Sequence, residues 1–337
     1  MKQHVLITGA TGTVGKEVLK QLYQREGCKI SVLCRGSSKN KRILRPYRNN
    51  INIIDVDLTK QKELQKLNSA YDIVIHLAAV IPPLADEKPS LTNQVNFLGT
   101  KHLINRLEQI SPNCFFMYSS SIAVYGDRLN SPNISVTDQL PENDEDPYAQ
   151  SKLDTEPIIK ASKLDWTIFR LTAIMGVKNH KMTGLMFHMP LETKMEIAMP
   201  EDTARAFTNG IDKKDELKNK VFNLAGGTSC RTTYKEFLGI NFRINGLGSV
   251  DFPPKTFAEK NFHCGIYVDG DNLENITHFR KHSLEDYIAL NKAAIPAWQK
   301  FFASMLRRPI KYFMKKQSLP LKAYKSQNKE LMERFFN

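Results

Sequence analysis

The chain has 337 residues, 41% of them hydrophobic, and a formal net charge of +13, so there is apolar content for one large cored domain or two smaller ones. Eleven Lys and Arg lie between Lys292 and Asn337 against only Glu330 and Glu333, a net +9, which leaves +4 for the preceding 291 residues; basicity confined to a tail is poor evidence for nucleic-acid binding, and none is expected. No signal peptide precedes the first strand-like run, no apolar run reaches the length of a membrane span, and five cysteines (Cys28, Cys34, Cys114, Cys230, Cys264) show no metal-like pairing, which together read as a cytoplasmic protein with free thiols.

In chain order, the first element is an apolar run, Val5–Thr8, that reads as a buried parallel strand, followed by Gly9-Ala10-Thr11-Gly12-Thr13-Val14-Gly15 and a helix starting near Thr13. Gly9 permits a tight turn, Gly12 lets the backbone approach a pyrophosphate, and Gly15 lets helix and strand pack closely. The helix N-terminus then faces the anion, which is a dinucleotide site by mechanism. Further strand-like runs at Ile30–Cys34, Ile51–Val56, Ile73–Leu77, Cys114–Ser119, Trp166–Leu171 and Val221–Leu224 alternate with helical stretches. The alternation predicts an α/β fold: right-handed β-α-β units in a Rossmann-type, doubly wound parallel sheet, with its ligand at the carboxyl ends of the strands. The run Asn130–Pro147, rich in Asn, Asp, Pro and Ser, reads as a loop near that site.

Two further features carry chemistry. Ser119-Ser120-Ser121 ends a strand, where a hydroxyl can hold a reacting oxygen. In Tyr148-Ala149-Gln150-Ser151-Lys152, the tyrosine and lysine share one helical face at i and i+4. An ammonium beside a phenol favours the phenolate, and a nearby cationic nicotinamide would bring its pKa from about 10 towards neutrality, so Tyr148 is a candidate proton donor or acceptor. His180, His188 and His263 do not cluster, and no His/Cys/Asp spacing predicts a metal.

The tail opens with Pro296, suited to a first helical turn. Trp298, Phe301, Phe302 and Met305 follow at i, i+3, i+4 and i+7, and then Arg307, Arg308, Lys311, Lys315 and Lys316, with Pro309 and Pro320 expected to break the helix. The favoured reading is an apolar stripe docked on the body or on a second subunit. The alternatives are an anionic membrane surface, making the protein peripheral there, or an acidic carrier protein.

Over about residues 1–290 the chain resembles the extended short-chain dehydrogenases/reductases of the NAD(P)-dependent epimerase/dehydratase group. The glycine motif, Asp57-Leu58, His76-Leu77-Ala78-Ala79, Asn96 with Gly99-Thr100, Ser119–Ser121, Tyr148/Lys152, Arg170 and Glu201-Asp202-Thr203-Ala204-Arg205-Ala206 fall in family order. The resemblance implies a cofactor held by Gly9, Thr11, Gly12, Thr13 and Val14, with Asp57 and Leu58 near adenine and Leu77, Ala78, Ala79, Ala173 and Ile174 lining it. Lys152 then holds the nicotinamide ribose while tuning Tyr148, Ser121 aligns with the catalytic serine, and Asn96 is structural. Family members often dimerise through the helices carrying Asn96 and Tyr148, so a homodimer is implied.

In NAD-preferring members an acidic residue follows the second strand. Here Arg35-Gly36-Ser37 stands there, and arginine with serine would bind a 2′-phosphate. NADP(H) is therefore favoured, with Arg35 and Ser37 as its clamp, and NAD(H) is the alternative, with Arg35 stacked on adenine. Ser121-Ile122-Ala123 lacks the acidic pair of a dehydratase. The segment from Gly176 to Asp202 is short, and Lys178, Lys181 and Lys194 are a sparse set for gripping a nucleotide diphosphate. Met182–Pro190 is mostly apolar, read first as core packing and otherwise as the lining of a pocket for a partly apolar substrate.

The organisation expected is an NAD(P)-binding Rossmann domain over 1–176, completed by 201–226, a small C-terminal substrate-binding lobe from 177–200 and 227–290, and a basic helical extension over 291–337. The function expected is an NADP(H)-dependent oxidoreductase acting on a carbonyl or secondary alcohol of a small molecule. A nucleotide-sugar epimerase is the alternative, and an NADP-sensing binding protein the third reading.

Overall fold

The computed structural model describes residues 2–141, 146–177, 179, 182–260 and 262–336; Lys178, His180 and Lys181 lie outside the described residues, as does part of the 130–147 run. The seven expected strands form one sheet. They are β1 (Gln3–Thr8), β2 (Cys28–Cys34), β3 (Ile51–Asp55), β4 (Ile73–His76), β5 (Phe115–Ser121), β6 (Asp165–Leu171) and β7 (Lys220–Leu224), in the order β7-β6-β5-β4-β1-β2-β3. Every neighbouring pair is parallel, with Thr8 opposite His76 and Ser121 opposite Leu171. β5 runs on through all three serines because β6 pairs with it as far as Ser121.

Alternate residues of each strand feed opposite faces. Val5, Ile7, Ile75, Met117 and Phe169 pack under the helices Thr13–Gln24 and Pro200–Gly210. Leu6, Val74, Phe116, Tyr118 and Ile168 pack with Leu103, Leu107 and Ile159 from the helices Gly99–Ile110 and Pro147–Lys160. Runs apolar on both sides are what a doubly covered parallel sheet demands. Chain order reverses between β1 and β4, and there the loops after the two strands touch: a Cβ on Gly9, whose φ is +69°, would lie 2.6 Å from the Ala78 nitrogen. This is the switch point at which such sheets bind ligands.

A third apolar cluster, including Met175, Met186, Phe187, Met189, Met195, Phe237 and Phe242, surrounds a short sheet of Ala173–Ile174, Lys194–Ala198 and Arg231–Thr233. Met186, Phe187 and Met189 are thus core, in line with the first reading of Met182–Pro190. The run expected to be a loop over Asn130–Pro147 contains a strand, Asn133–Ile134, paired with Ile266–Tyr267, and ends at a helix that Pro147 opens.

The tail departs from expectation in two respects. Pro309 and Pro320 sit in the first turns of the helices Arg307–Lys316 and Leu319–Ser326, where a missing N–H removes no helical bond; the breaks fall at Leu306 and Ser318 instead. The stripe on the helix Ala297–Met305 is not docked on the body: Trp298, Phe301, Phe302 and Met305 are 54–66% exposed. The body is met from the other side, by Ala303, Ile310 and Met314, which join the third cluster.

Gly15 has no room for a side chain: a Cβ there would collide with the Gly9 carbonyl oxygen and lie 2.8 Å from the Ala10 Cα. Overpacking against backbone should make Gly15→Ala less stable by about 1–3 kcal/mol, read as a lowered urea midpoint at unchanged slope.

Candidate active site

The turn after β1 is built to receive an anion. Gly12 caps the helix Thr13–Gln24 in an extended conformation, its N–H bonded to the Gly9 carbonyl at 2.9 Å, and no side chain caps the helix and no acidic residue occupies its first turn. The first-turn N–H groups therefore face outward with the positive end of the helix dipole. A Cβ at Gly12 would meet only the Gly9 oxygen, at 3.3 Å. The shape and polarity of this turn suit a dinucleotide pyrophosphate; Thr11 and Val14 beside it are half-buried and Thr13 is exposed.

β4 contributes the opposite wall, Leu77, Ala78 and Ala79, all half-buried. Their backbone is fixed from beneath. The Ala78 N–H donates to the Thr8 hydroxyl (3.1 Å), which donates to His76 Nδ1 (2.7 Å); His76 Nε2–H donates to Thr100 (2.8 Å), and Thr100 donates to the Asn96 carbonyl (2.6 Å). Burial drives the His76 pKa down to about 3, with Lys152 adding to the fall, so the ring is neutral. The Asn96 side chain accepts from the Val80 N–H (2.7 Å) and donates to the Val80 carbonyl and Ser151 (both 3.0 Å), tying this wall to the helix that carries Tyr148.

That helix, Pro147–Lys160, starts at Asp146, whose carboxylate accepts from the Tyr148 and Ala149 N–H groups. Tyr148, Lys152 and Glu156 lie at i, i+4 and i+8, one face turned towards the end of β5. Lys152 is buried, its ammonium donating to the Ser119 carbonyl (2.7 Å) and the Tyr118 hydroxyl (3.1 Å) and lying 5.7 Å from the centre of the Tyr148 ring. Burial lowers its pKa from 10.5 to about 7, against the opposing pull of Glu156. Ser121 caps the short helix after β5 by accepting from the Ala123 N–H (3.2 Å), and its hydroxyl favours the Tyr148 phenolate. Burial nevertheless pushes the Tyr148 phenol up to about 12. The protein alone therefore does not bring Tyr148 towards neutrality.

Glu156, unremarked in the sequence, anchors this face. It is buried, accepts two bonds from Arg170 (2.9 and 2.7 Å) and accepts one from Ser120 (2.7 Å). Burial alone would raise its carboxyl, but Arg170 overrides this and holds it below the usual range. Arg170 also donates to Tyr125 (2.8 Å), Tyr125 to Asn223 (2.7 Å), and Asn223 to Asp269 (2.8 Å). The i+8 spacing of Glu156 from Tyr148 was the available signal.

Along the sheet, Arg35 and Ser37 are exposed just past β2. Ser37 accepts from the Asn40 N–H (3.2 Å) and keeps its own proton to donate. Asp55, at the end of β3, accepts from the Gly36 N–H at 2.7 Å and stands where a Gly36 side chain would be; sequence reasoning missed it because the two are 19 positions apart on neighbouring strands. The Asp57 carboxylate is committed to the Thr59 N–H and hydroxyl (3.0 and 2.8 Å), and Leu58 is buried against Gly99. Ala173 and Ile174 are half-buried beyond the end of β6.

Of the histidines singled out in the sequence, the His188 ring lies beside that of Phe335, and His263 Nδ1 lies 3.5 Å from Asp146 Oδ2. Among the described residues, no group of three or more His, Cys, Asp or Glu could hold a metal ion.

The model of the NAD dependent epimerase/dehydratase family matches residues 5–225. D-erythronate dehydrogenase of Haemophilus influenzae is 26% identical over 144 residues, 41% of this chain and 44% of that protein. Probable UDP-arabinose 4-epimerase 3 of Oryza sativa subsp. japonica is 30% identical over 174 residues, 49% of this chain and 40% of that one. The chain thus spans less than half the length of either relative. Among solved structures, UDP-glucose 4-epimerase of Thermus thermophilus in complex with NAD superposes with a TM-score of 0.68 at 19% identity, covering 87% of this chain and 98% of that one; at this identity the likeness is one of fold.

Lys152 sheds its proton near neutrality when folded and near 10.5 when unfolded, so between these values the unfolded chain binds more protons and stability rises with pH. Chemical denaturation should show wild type gaining on Lys152→Met from about pH 7 to about pH 9, by at most about 1.4 kcal/mol per pH unit. A pH-independent gap would place the lysine pKa outside that window.

Proposed function

The chain belongs to the NAD dependent epimerase/dehydratase family, and on that premise we propose that it is an NADP(H)-dependent oxidoreductase for a carbonyl or secondary alcohol of a small, partly apolar substrate. The observation that carries the reading is the convergence of Ser121, Tyr148 and Lys152 at the carboxyl end of β5, across the switch point from an uncapped helix N-terminus.

When bound, the dinucleotide supplies or accepts a hydride at the substrate carbon. The chain's own residues handle the oxygen. Tyr148 donates its phenolic proton as a carbonyl becomes an alcohol and takes one in the reverse direction. Ser121 donates a hydrogen bond to the same oxygen, holding it against the phenol. Lys152, buried beneath both, is placed to bind ribose hydroxyls and to favour the phenolate electrostatically. Glu156 keeps a negative charge one turn further on, which favours the charged lysine. Ile81 and Leu84, exposed just past Leu77–Ala79, offer apolar contact for the substrate.

The epimerase reading is favoured by the similarity to the rice protein. Against it, the segment between Gly176 and Asp202 has only Lys178, Lys181 and Lys194 to grip a nucleotide diphosphate, and Lys194 lies at the start of a strand of the small sheet. A homodimer is carried forward as part of the proposal.

Tyr148→Phe should lower turnover by roughly 10²–10⁴-fold while leaving nucleotide binding nearly intact. Stopped assays of carbonyl reduction, with nucleotide titration alongside, test this, and retained turnover would remove Tyr148 from the mechanism.

The preference for NADP(H) rests on Arg35 and Ser37, whereas the Asp55 carboxylate beside Gly36 would repel a 2′-phosphate and supports NAD(H) as the second reading. Fluorescence titration of the nucleotide-free protein should find NADPH bound more tightly than NADH. Arg35→Ala should weaken NADPH by roughly tenfold or more and NADH little, since charge-assisted bonds to a phosphate contribute about 1.5–3 kcal/mol. Equal loss for both would leave Arg35 as an adenine contact.

A further inference from the structure

The two helices Ala297–Met305 and Arg307–Lys316 leave large apolar side chains exposed on both sides of the corner between them. Trp298, Phe301, Phe302, Met305, Tyr312 and Phe313 are each 51–66% exposed, and Leu306, at the corner between the helices, is 53% exposed. No residue of Ala297–Met305 is buried. Lone exposed apolar residues are ordinary, but seven large ones between Trp298 and Phe313, with the rings of Phe301 and Phe302 and of Tyr312 and Phe313 in edge contact, mark an interaction site.

Cations border the surface. Arg307, Arg308 and Lys316 are exposed, Arg307 close enough to Asp251 to help lower its carboxyl pKa, and the Lys316 ammonium lies 4.6 Å from the centre of the Tyr312 ring, with that of Lys315 at 5.7 Å. Lys311 points the other way, to the Ser249 carbonyl and Asp251. From residue 287 to residue 329 the sequence holds no Asp or Glu. The inner side is fixed to the body by Ala303, Ile310 and Met314, so the surface is presented by a rigid support.

We propose that this outward face seats the protein peripherally on an anionic lipid surface. Tryptophan and phenylalanine on one face with arginine and lysine at its border is the pattern of helices that lie in a membrane interface, aromatic rings among the acyl chains and cations at the headgroups. Among the described residues no helix is long and apolar enough to cross a membrane. A second copy of the chain is disfavoured as occupant. A two-fold contact sets a patch against itself, and the exposed Arg308 and Lys316 would then meet their own duplicates. The inference is independent of the catalytic reading.

The chain has two tryptophans, Trp166, 9% exposed, and Trp298, 66% exposed, so an environmental change at Trp298 is visible in the emission. The full chain is mixed with vesicles of phosphatidylcholine alone or of phosphatidylcholine with phosphatidylglycerol, at low and high salt. The expected result is co-sedimentation at least about tenfold stronger with the anionic vesicles, lost in high salt, with a blue shift of emission. Phe301→Glu combined with Phe302→Glu should abolish it, and Arg307→Glu combined with Arg308→Glu should abolish the preference for phosphatidylglycerol. Unchanged circular dichroism and nucleotide binding show that both variants fold. Equal or absent binding to the two vesicles overturns the proposal. So does a dimer in lipid-free solution that the double phenylalanine variant dissolves, or a blue shift produced by acyl carrier protein, a small acidic partner, where anionic vesicles produce none.

Discussion

The buried pair of Glu156 and Arg170 holds the rest of the site in place. Both charges are out of water, and each is surrounded by partners: Ser120 on the carboxylate, Tyr125 on the guanidinium, with bidentate geometry between them. Removing one member of such a pair strands the other and costs about 3–5 kcal/mol. An apolar replacement of both could match the stability but not the electrostatics. With Glu156 one turn beyond Lys152, the pair joins the helix Pro147–Lys160 to β6 and sets a negative charge where the buried lysine needs one. The chain of bonds continues through Tyr125 and Asn223 to Asp269, which also accepts from the Val136 N–H, so the strand ends and the loop after β5 share one polar framework.

A second framework supports the cofactor side. The neutral His76 ring spans from Thr8 to Thr100, so the ends of β1 and β4 are held by directed bonds as well as by the sheet. Asn96 then reaches from this wall to Ser151. Cradle and catalytic helix are therefore positioned by interior polar groups, each satisfied by a neighbour, which is the arrangement that rigidifies a site.

What could be read in the sequence was what depends on near neighbours. Strand runs, the glycine turn, and the Tyr148/Lys152 spacing follow from period and backbone conformation within a few residues, and the fold follows from their alternation. What escaped depends on contacts across the fold. Asp55 meets Gly36 only because β2 and β3 are adjacent. Glu156 meets Arg170 through the packing of a helix on the sheet. The Tyr148 phenol is pushed up by burial, which local spacing does not report. The prolines of the tail mark helix starts because the breaks are set by Leu306 and Ser318. The apolar stripe at Trp298 looked like a buried face since amphipathicity shows that a helix has two sides and not which of them meets the body.

The placement of Met314 within the third cluster bears on how the molecule is made. All seven strands of the main sheet have been synthesised by Leu224, and with Leu273 and Phe279 added some fifty residues later its core can close while the chain is still growing. The methionine- and phenylalanine-rich cluster cannot: one of its buried members arrives some ninety residues after Leu224. During elongation the nascent chain carries a finished sheet beside an open apolar surface, and the interval before Met314 emerges is when a chaperone has most to protect.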